Sequence, residues 1–129
     1  MKKLNRVVVT GYGLTSPIGN TPEEFWDSLV NGKIGIGKIT KFDTSEYSVH
    51  NAAEIKDFPF DKYFVKKDTN RYDNYSLYAL YAAREAVANA NLDTDAVDSD
   101  RFGVILSTGI GGILEIEEQV ARMNEKGPK

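Results

Sequence analysis

Two short apolar runs, each followed by a glycine-rich turn, organise the hydrophobic pattern of this chain. The first run, Arg6–Thr10, has valine at its three central positions and precedes Gly11 and Gly13. The second run, Phe102–Ser107, is also aliphatic over consecutive positions. Because neither run alternates with polar residues, both are typical of strands that are buried on two faces. We therefore predict a buried strand at each run.

Helix signals follow both turns and fill the segment between the two runs. Thr21 can cap a helix, Pro22 occupies its first position, and a glutamate lies three residues after the cap. This helix is predicted to end at Asn31-Gly32. Asp73–Asn91 is apolar or aromatic around most of its circumference, which predicts an inner helix that is buried on most sides. A third helix is predicted after the second run.

The segment Lys33–Lys67 has no regular periodicity and is interpreted as a surface excursion. It contains a turn at Phe42–Ser45 and a short possible strand at Val49–Ile55. The order of strand, helix, excursion, helix, strand and helix predicts an α/β fold. The length of 129 residues fits a single domain over residues 1–129.

Composition narrows the possible functions. The 41% hydrophobic and 27% charged residues are typical of a soluble protein, and we predict a cytoplasmic protein without a membrane segment. The net charge of −3 argues against nucleic acid as a partner. With no cysteine and a single histidine, His50, the chain has no disulfide and no cysteine nucleophile. We predict neither a metal nor a cofactor.

Three features could carry function. Gly11-Tyr12-Gly13 resembles half of a dinucleotide-binding fingerprint, although a purely structural turn is the favoured interpretation. The turn Ser107–Gly112 could admit a ligand near Ile110, or could only be tight with Ile110 in the core. The third feature, which we call the basic surface, is either a solvated face or a contact for an acidic partner; it comprises Lys62, Lys66, Lys67 and Arg71.

An ordered set of motifs resembles the β-ketoacyl-[acyl-carrier-protein] synthase II family. The first motif is Arg6–Gly13 with Ser16–Asn20 and Trp26. Three later motifs follow in the same order and at matching spacing: Phe42–Ser45, Arg71–Asp73 and Ser107–Gly112. The resemblance implies a thiolase-like five-layer α-β-α-β-α fold that is incomplete in this chain. It also implies a decarboxylating Claisen condensation of malonyl-acyl-carrier-protein with an acyl chain held on a cysteine.

The resemblance further implies roles for individual residues. The family's catalytic cysteine and two histidines have no counterpart in this sequence, so the chain alone is expected to be inactive. Ile110 matches the residue that gates the acyl pocket, with Gly109 and Gly111 beside it as substrate-contact positions. Expected contacts with acyl carrier protein are Lys66, Lys67, Arg71 and Lys129, and the family works as a homodimer.

Two alternatives from other classes stay open at this point. One is a noncatalytic module that binds acyl carrier protein or pairs with a full synthase. The other is a small nucleotide-binding α/β domain, which only the two glycine turns favour. Because strands buried on two faces and an inner helix need neighbours on both sides, we also expect the isolated chain to be prone to aggregation or loosely folded.

Overall fold

The computed structural model describes residues 4–128, which divide into two compact units. The first unit comprises the described residues up to Phe58 together with Ala82–Leu92. The second comprises Pro59–Tyr81 and the described residues from Asp93 onward. Within the described part of the chain, no helix is long and apolar enough to cross a membrane.

Helix α1 of the first unit, Pro22–Val30, forms where its capping signals predict it. Thr21 Oγ1 accepts a hydrogen bond from the Glu24 amide at 3.2 Å, and Glu24 Oε2 accepts one from the Asn20 amide at 2.9 Å. These two bonds satisfy amide groups that the first turn of a helix leaves unpaired. Val30 is the last residue of the helix and Asn31 is its C-cap, one residue from the predicted end at Asn31-Gly32.

A two-stranded antiparallel sheet lies in the predicted surface excursion. Strand β1, Ile36–Lys38, pairs with strand β2, Asn51–Ala53, which lies within the predicted Val49–Ile55 strand. Glu54, the residue after β2, is hydrogen-bonded to Thr40 near the start of the connecting loop. Glu54 is a buried residue, and its carboxylate accepts bonds from the Thr40 amide at 3.0 Å and the Thr40 hydroxyl at 2.7 Å.

The second unit contains the short helix α2, Lys66–Thr69, and helix α4, Ile113–Lys126. Helix α3, Asn74–Asn89, begins in this unit. The buried core of the unit consists of Phe64, Leu77 and Tyr81. Aromatic rings surround this core: Tyr63 meets Tyr81 edge-on at 5.3 Å, and Phe60 stacks with Tyr78 at 6.3 Å.

The prediction of buried strands at Arg6–Thr10 and Phe102–Ser107 is wrong for this structure. Both segments lack strand pairing, and their side chains are exposed, with Val7 at 89% and Ile105 at 93%. A strand exists only through hydrogen bonds to a neighbouring strand. Among the described residues no segment pairs with either run. The apolar pattern is real, but the described chain does not provide what would cover it.

The predicted helix over Asp73–Asn91 is confirmed as α3, but its predicted burial on most sides is wrong. Only Leu77 and Tyr81 are buried on this helix. Tyr75, Leu80 and Val87 on the same helix stay more than a third exposed. Helix α4 confirms the predicted third helix and carries no buried residue. Both helices therefore present apolar surface that the described residues leave uncovered.

Candidate functional site

The first glycine turn packs directly against the backbone of α3. A β carbon at Gly13 would lie 2.1 Å from the Ala82 carbonyl oxygen, and one at Gly11 would lie 2.5 Å from that of Ala86. The Tyr12 amide donates a hydrogen bond to Asn89 Oδ1 at 3.2 Å. The glycines thus allow the close approach of α3, which covers this side of the turn. This geometry favours the structural interpretation of the turn over nucleotide binding.

The second glycine turn, Ser107–Gly112, leads into α4 in the second unit. The Gly111 amide donates to Thr108 Oγ1 at 3.1 Å, and Gly111 has a φ of +86°, a conformation that glycine adopts without strain. Around Gly109 there is open space, and the Ile110 side chain is 73% exposed. The turn therefore has one end that is held by contacts and one end that is free.

Asp73 packs against the Gly112 end of this turn. Its Oδ1 accepts a hydrogen bond from the Tyr75 amide at 3.1 Å. A β carbon at Gly112 would lie 2.6 Å from Asp73 Oδ2, so only glycine fits at that position without a shift of the carboxylate. The Tyr75 hydroxyl approaches the β position of Gly111 to 3.7 Å. Asp73 therefore lies between the start of α3 and the start of α4.

A largely apolar cleft of about 540 Å³ lies beside this turn. It is lined by residues of α3 and of the extended segment that precedes the turn: Tyr72, Tyr75, Ser76, Ala79, Leu80, Leu106, Ser107 and Thr108. Its hydroxyl groups offer hydrogen bonds, but the lining holds no carboxylate, imidazole or thiol. The cleft can receive an apolar group, and its own residues include no acid–base pair for catalysis.

Next to this cleft, burial raises the pKa of the Tyr78 phenol, and the charge of the Asp73 carboxylate raises it further. The phenol therefore stays neutral at physiological pH.

His50 has an ordinary role, since its Nδ1 lies 3.2 Å from Thr44 Oγ1. In the described ranges no cluster of three or more His, Cys, Asp or Glu side chains could hold a metal ion.

The basic surface lies on and around α2. Lys66 and Lys67 are exposed on this helix, and Arg71 is exposed with its guanidinium 5.6 Å from the Tyr72 ring. The Lys62 ammonium lies 5.2 Å from the ring centre of Tyr63. The structure thus places three of the four predicted partner-binding residues in one short stretch. The fourth, Lys129, lies outside the described residues.

Sequence reasoning identified Ile110 and its turn but assigned no role to Asp73 or Tyr75. Asp73 had been noted only as part of a motif. The proximity of Asp73 and Gly112 depends on tertiary packing between residues far apart in the chain. The one available signal was an acidic residue at the first position of the predicted helix, where capping side chains are common.

Comparisons with known proteins support one family. The model of the beta-ketoacyl synthase N-terminal domain matches residues 4–129. Over 129 residues the chain is 43% identical to 3-oxoacyl-[acyl-carrier-protein] synthase 2 of Staphylococcus aureus (strain COL), covering all of this chain and 31% of that protein. The enzyme of the same name from Synechocystis sp. is 39% identical over 123 residues, 95% of this chain and 30% of the relative. The chain thus spans about a third of the length of these curated relatives.

Solved structures show the same relationship. The ishigamide ketosynthase/chain length factor superposes with a TM-score of 0.78 at 31% identity, over 93% of this chain and 30% of the other. A ketosynthase in complex with its type II polyketide acyl-carrier protein superposes with a TM-score of 0.72 at 24% identity, over the same shares of the two chains. The predicted fold class is confirmed: these residues form part of a thiolase-like α/β fold. The chain belongs to the beta-ketoacyl synthase family, whose N-terminal domain it matches.

Proposed function

We propose that this chain supplies the N-terminal part of a 3-oxoacyl-[acyl-carrier-protein] synthase of fatty acid biosynthesis. The observation that carries the proposal is its 43% identity, over all 129 residues, to 3-oxoacyl-[acyl-carrier-protein] synthase 2. In the proposed reaction, malonyl-acyl-carrier-protein loses carbon dioxide and the resulting carbanion attacks an acyl thioester on a cysteine. A carbon–carbon bond forms, the bond between the acyl carbon and the cysteine sulfur breaks, and the thiolate leaves.

The 129 residues alone are proposed to be inactive in this reaction. They contain no cysteine, so the thiolate that carries the acyl chain must come from residues outside this sequence. We accordingly assign residues 1–129 to the N-terminal portion of the synthase domain, ahead of the nucleophile. The complete enzyme is proposed to act in the cytoplasm as a homodimer.

Within this segment, the glycine turn is proposed to contact the acyl chain. The exposure of Ile110 and the open space at the β position of Gly109 support this role, because an exposed apolar side chain is available for contact with an acyl chain. Gly111 supports it differently, since its positive φ shapes the turn that presents Ile110. An apolar cleft lies directly beside the turn.

The direct test uses a chimera in which these 129 residues replace the matching segment of the Staphylococcus aureus relative. We expect the chimera to condense malonyl- and acyl-acyl-carrier-protein, with the product detected by mass spectrometry. The isolated 129-residue chain is expected to give no product. A chimera that is folded and dimeric but yields no condensation product would contradict the proposed function.

A second candidate function, favoured by the exposed basic surface, is binding of acyl carrier protein without catalysis. Lys66, Lys67 and Arg71 offer positive charge to an acidic partner. Titration calorimetry of the isolated chain with acyl carrier protein at low salt tests this function. Heat that disappears in the Lys67→Glu variant, but persists in the Lys33→Glu control on the other unit, would support it. A flat titration would exclude it.

A further inference from the structure

We infer that Asp73 is a positioning residue for the turn Ser107–Gly112, and that it thereby determines which acyl lengths the enzyme accepts. The inference rests on the proposed function, because it assumes that Ile110 meets the acyl chain. Asp73 itself is not proposed to touch substrate. Its role follows from two contacts that one carboxylate makes in the second unit.

The first contact fixes the Asp73 side chain at the start of α3. Oδ1 accepts from the Tyr75 amide at 3.1 Å, while the Asp73 carbonyl oxygen accepts from the amides of Ser76 and Leu77 at 3.0 and 3.2 Å. Capping interactions of this kind hold a side chain in one rotamer. Leu77 belongs to the buried core, so the backbone of Asp73 is tied to a buried residue, while its carboxylate is held by the Tyr75 amide.

The second contact joins the Asp73 carboxylate to Gly112 at the end of the glycine turn. Asp73 Oδ2 packs against Gly112 so closely that a β carbon there would lie only 2.6 Å away. Gly112 is the N-cap of α4 and makes no side-chain capping bond of its own. A negative charge near the start of this 14-residue helix is electrostatically favourable. Asp73 therefore supports the turn at its junction with α4.

The remaining contacts of the turn leave Ile110 free to move about this support. Gly111 is held by the Thr108 hydroxyl and lies near the Tyr75 ring, whereas Gly109 meets no atom within 4 Å. When the Ile110 side chain rotates, the part of the turn that stays in place is Gly111 and Gly112, which lie against Tyr75 and Asp73. Removing the carboxylate loosens this part of the turn and changes which acyl chains the Ile110 side chain admits, without removing any group that reacts.

The test compares acyl lengths in the chimera. The measured quantity is the ratio of kcat/KM for dodecanoyl- to butanoyl-acyl-carrier-protein. We expect Asp73→Ala to change this ratio about tenfold, which is less than the roughly hundredfold effect that a misplacement of about 1 Å can have. Asp73→Asn keeps the acceptor oxygen and the volume, and should restore most of the original ratio. The control is Asp98→Ala, because Asp98 caps the separate 3-10 turn Ser99–Arg101 and should leave the ratio unchanged.

A second variant guards against simple unfolding. Gly112→Ala adds a methyl group that displaces the Asp73 carboxylate, so it should also change the ratio of kcat/KM values. Thermal unfolding of each variant is measured in parallel to show that it is folded. Unchanged ratios in both folded variants would overturn this inference while the proposed function stands. An unmodified chimera that folds but does not condense would overturn both. A change in KM for all primers equally, without a change in ratio, would also count against Asp73 as a determinant of length.

Discussion

At the residue scale, individual contacts show which positions tolerate change and which do not. Gly13 lies against the α3 backbone, where the atom that a β carbon would meet is a carbonyl oxygen at 2.1 Å. Backbone cannot rotate out of the way as a side chain can. Gly103 lies in open space, with nothing within 4 Å of its β position. These two glycines therefore form a matched pair for substitution.

We predict that Gly13→Ala destabilises the chimera by about 1–3 kcal/mol, because the added methyl group must displace the helix or the turn. Gly103→Ala should change the free energy of unfolding far less. Urea denaturation followed by circular dichroism measures both. Equal stabilities for the two variants would show that the turn does not pack on α3.

The Glu54 carboxylate gives a prediction about pH. Hydrogen bonds from the Thr40 hydroxyl and amide lower the pKa of Glu54 below the usual 4.5. Because the pKa of the folded state is the lower one, these bonds stabilise the loop fully above the unfolded-state pKa. The stabilisation is lost as pH falls through the folded-state pKa.

Carbon-13 NMR titration of the Glu54 carboxyl group in the chimera measures this effect. Thr40→Val removes the hydroxyl donor and should raise the pKa of Glu54 toward its ordinary value. Thr44→Val, on the same loop but hydrogen-bonded to His50 instead, serves as the control and should leave it unchanged. An ordinary Glu54 pKa in the unsubstituted protein would contradict the observed geometry.

At the scale of elements, the two apolar extended segments dominate the behaviour of the chain. Val7 and Val9 in the first segment, and Val104 and Ile105 in the second, are at least 74% exposed. Unpaired extended backbone with apolar side chains is a template for association with other chains. The expected aggregation of the isolated chain thus has a specific structural origin.

We predict that Ile105→Lys lowers the aggregation of the isolated 129-residue chain, because a charge on the unpaired segment opposes strand addition. Val49→Lys makes a change of the same charge in the loop before β2, where the side chain is 63% exposed, and should have a smaller effect. Light scattering at increasing concentration compares the two variants. An equal reduction would mean that net charge, not the segment, controls association.

The same elements show what sequence can and cannot predict. Helix α1 was predictable because Thr21, Pro22 and Glu24 act within one turn of one another. The lack of strand pairing at Arg6–Thr10 and at Phe102–Ser107 was not predictable, since a strand depends on a partner elsewhere in space. Strand β1 escaped prediction because Ile36–Lys38 is three residues long and contains a glycine. At the site, the glycine turn was predictable from local residues, whereas its support by Asp73 depends on packing.

At the scale of the whole molecule, two observations point in the same direction. Apolar surface is left uncovered by the described residues, and the chain matches only part of the length of its relatives. The chain spans 31% of its Staphylococcus aureus relative and matches the family's N-terminal domain. Its extended segments have the composition of strands buried on two faces, yet they lack neighbours among the described residues. We therefore expect these segments to become strands when the rest of a synthase covers them.

Hydrogen–deuterium exchange read out at the backbone amides of Val7–Val9 and Val104–Leu106 tests this claim most directly. In the isolated chain these amides should exchange at nearly the rate of unstructured peptide, because they make no strand hydrogen bonds. In the chimera they should be protected by about 100-fold or more, as paired strands are. Protection that is equally strong in the isolated chain, or equally absent from an active chimera, would contradict the account.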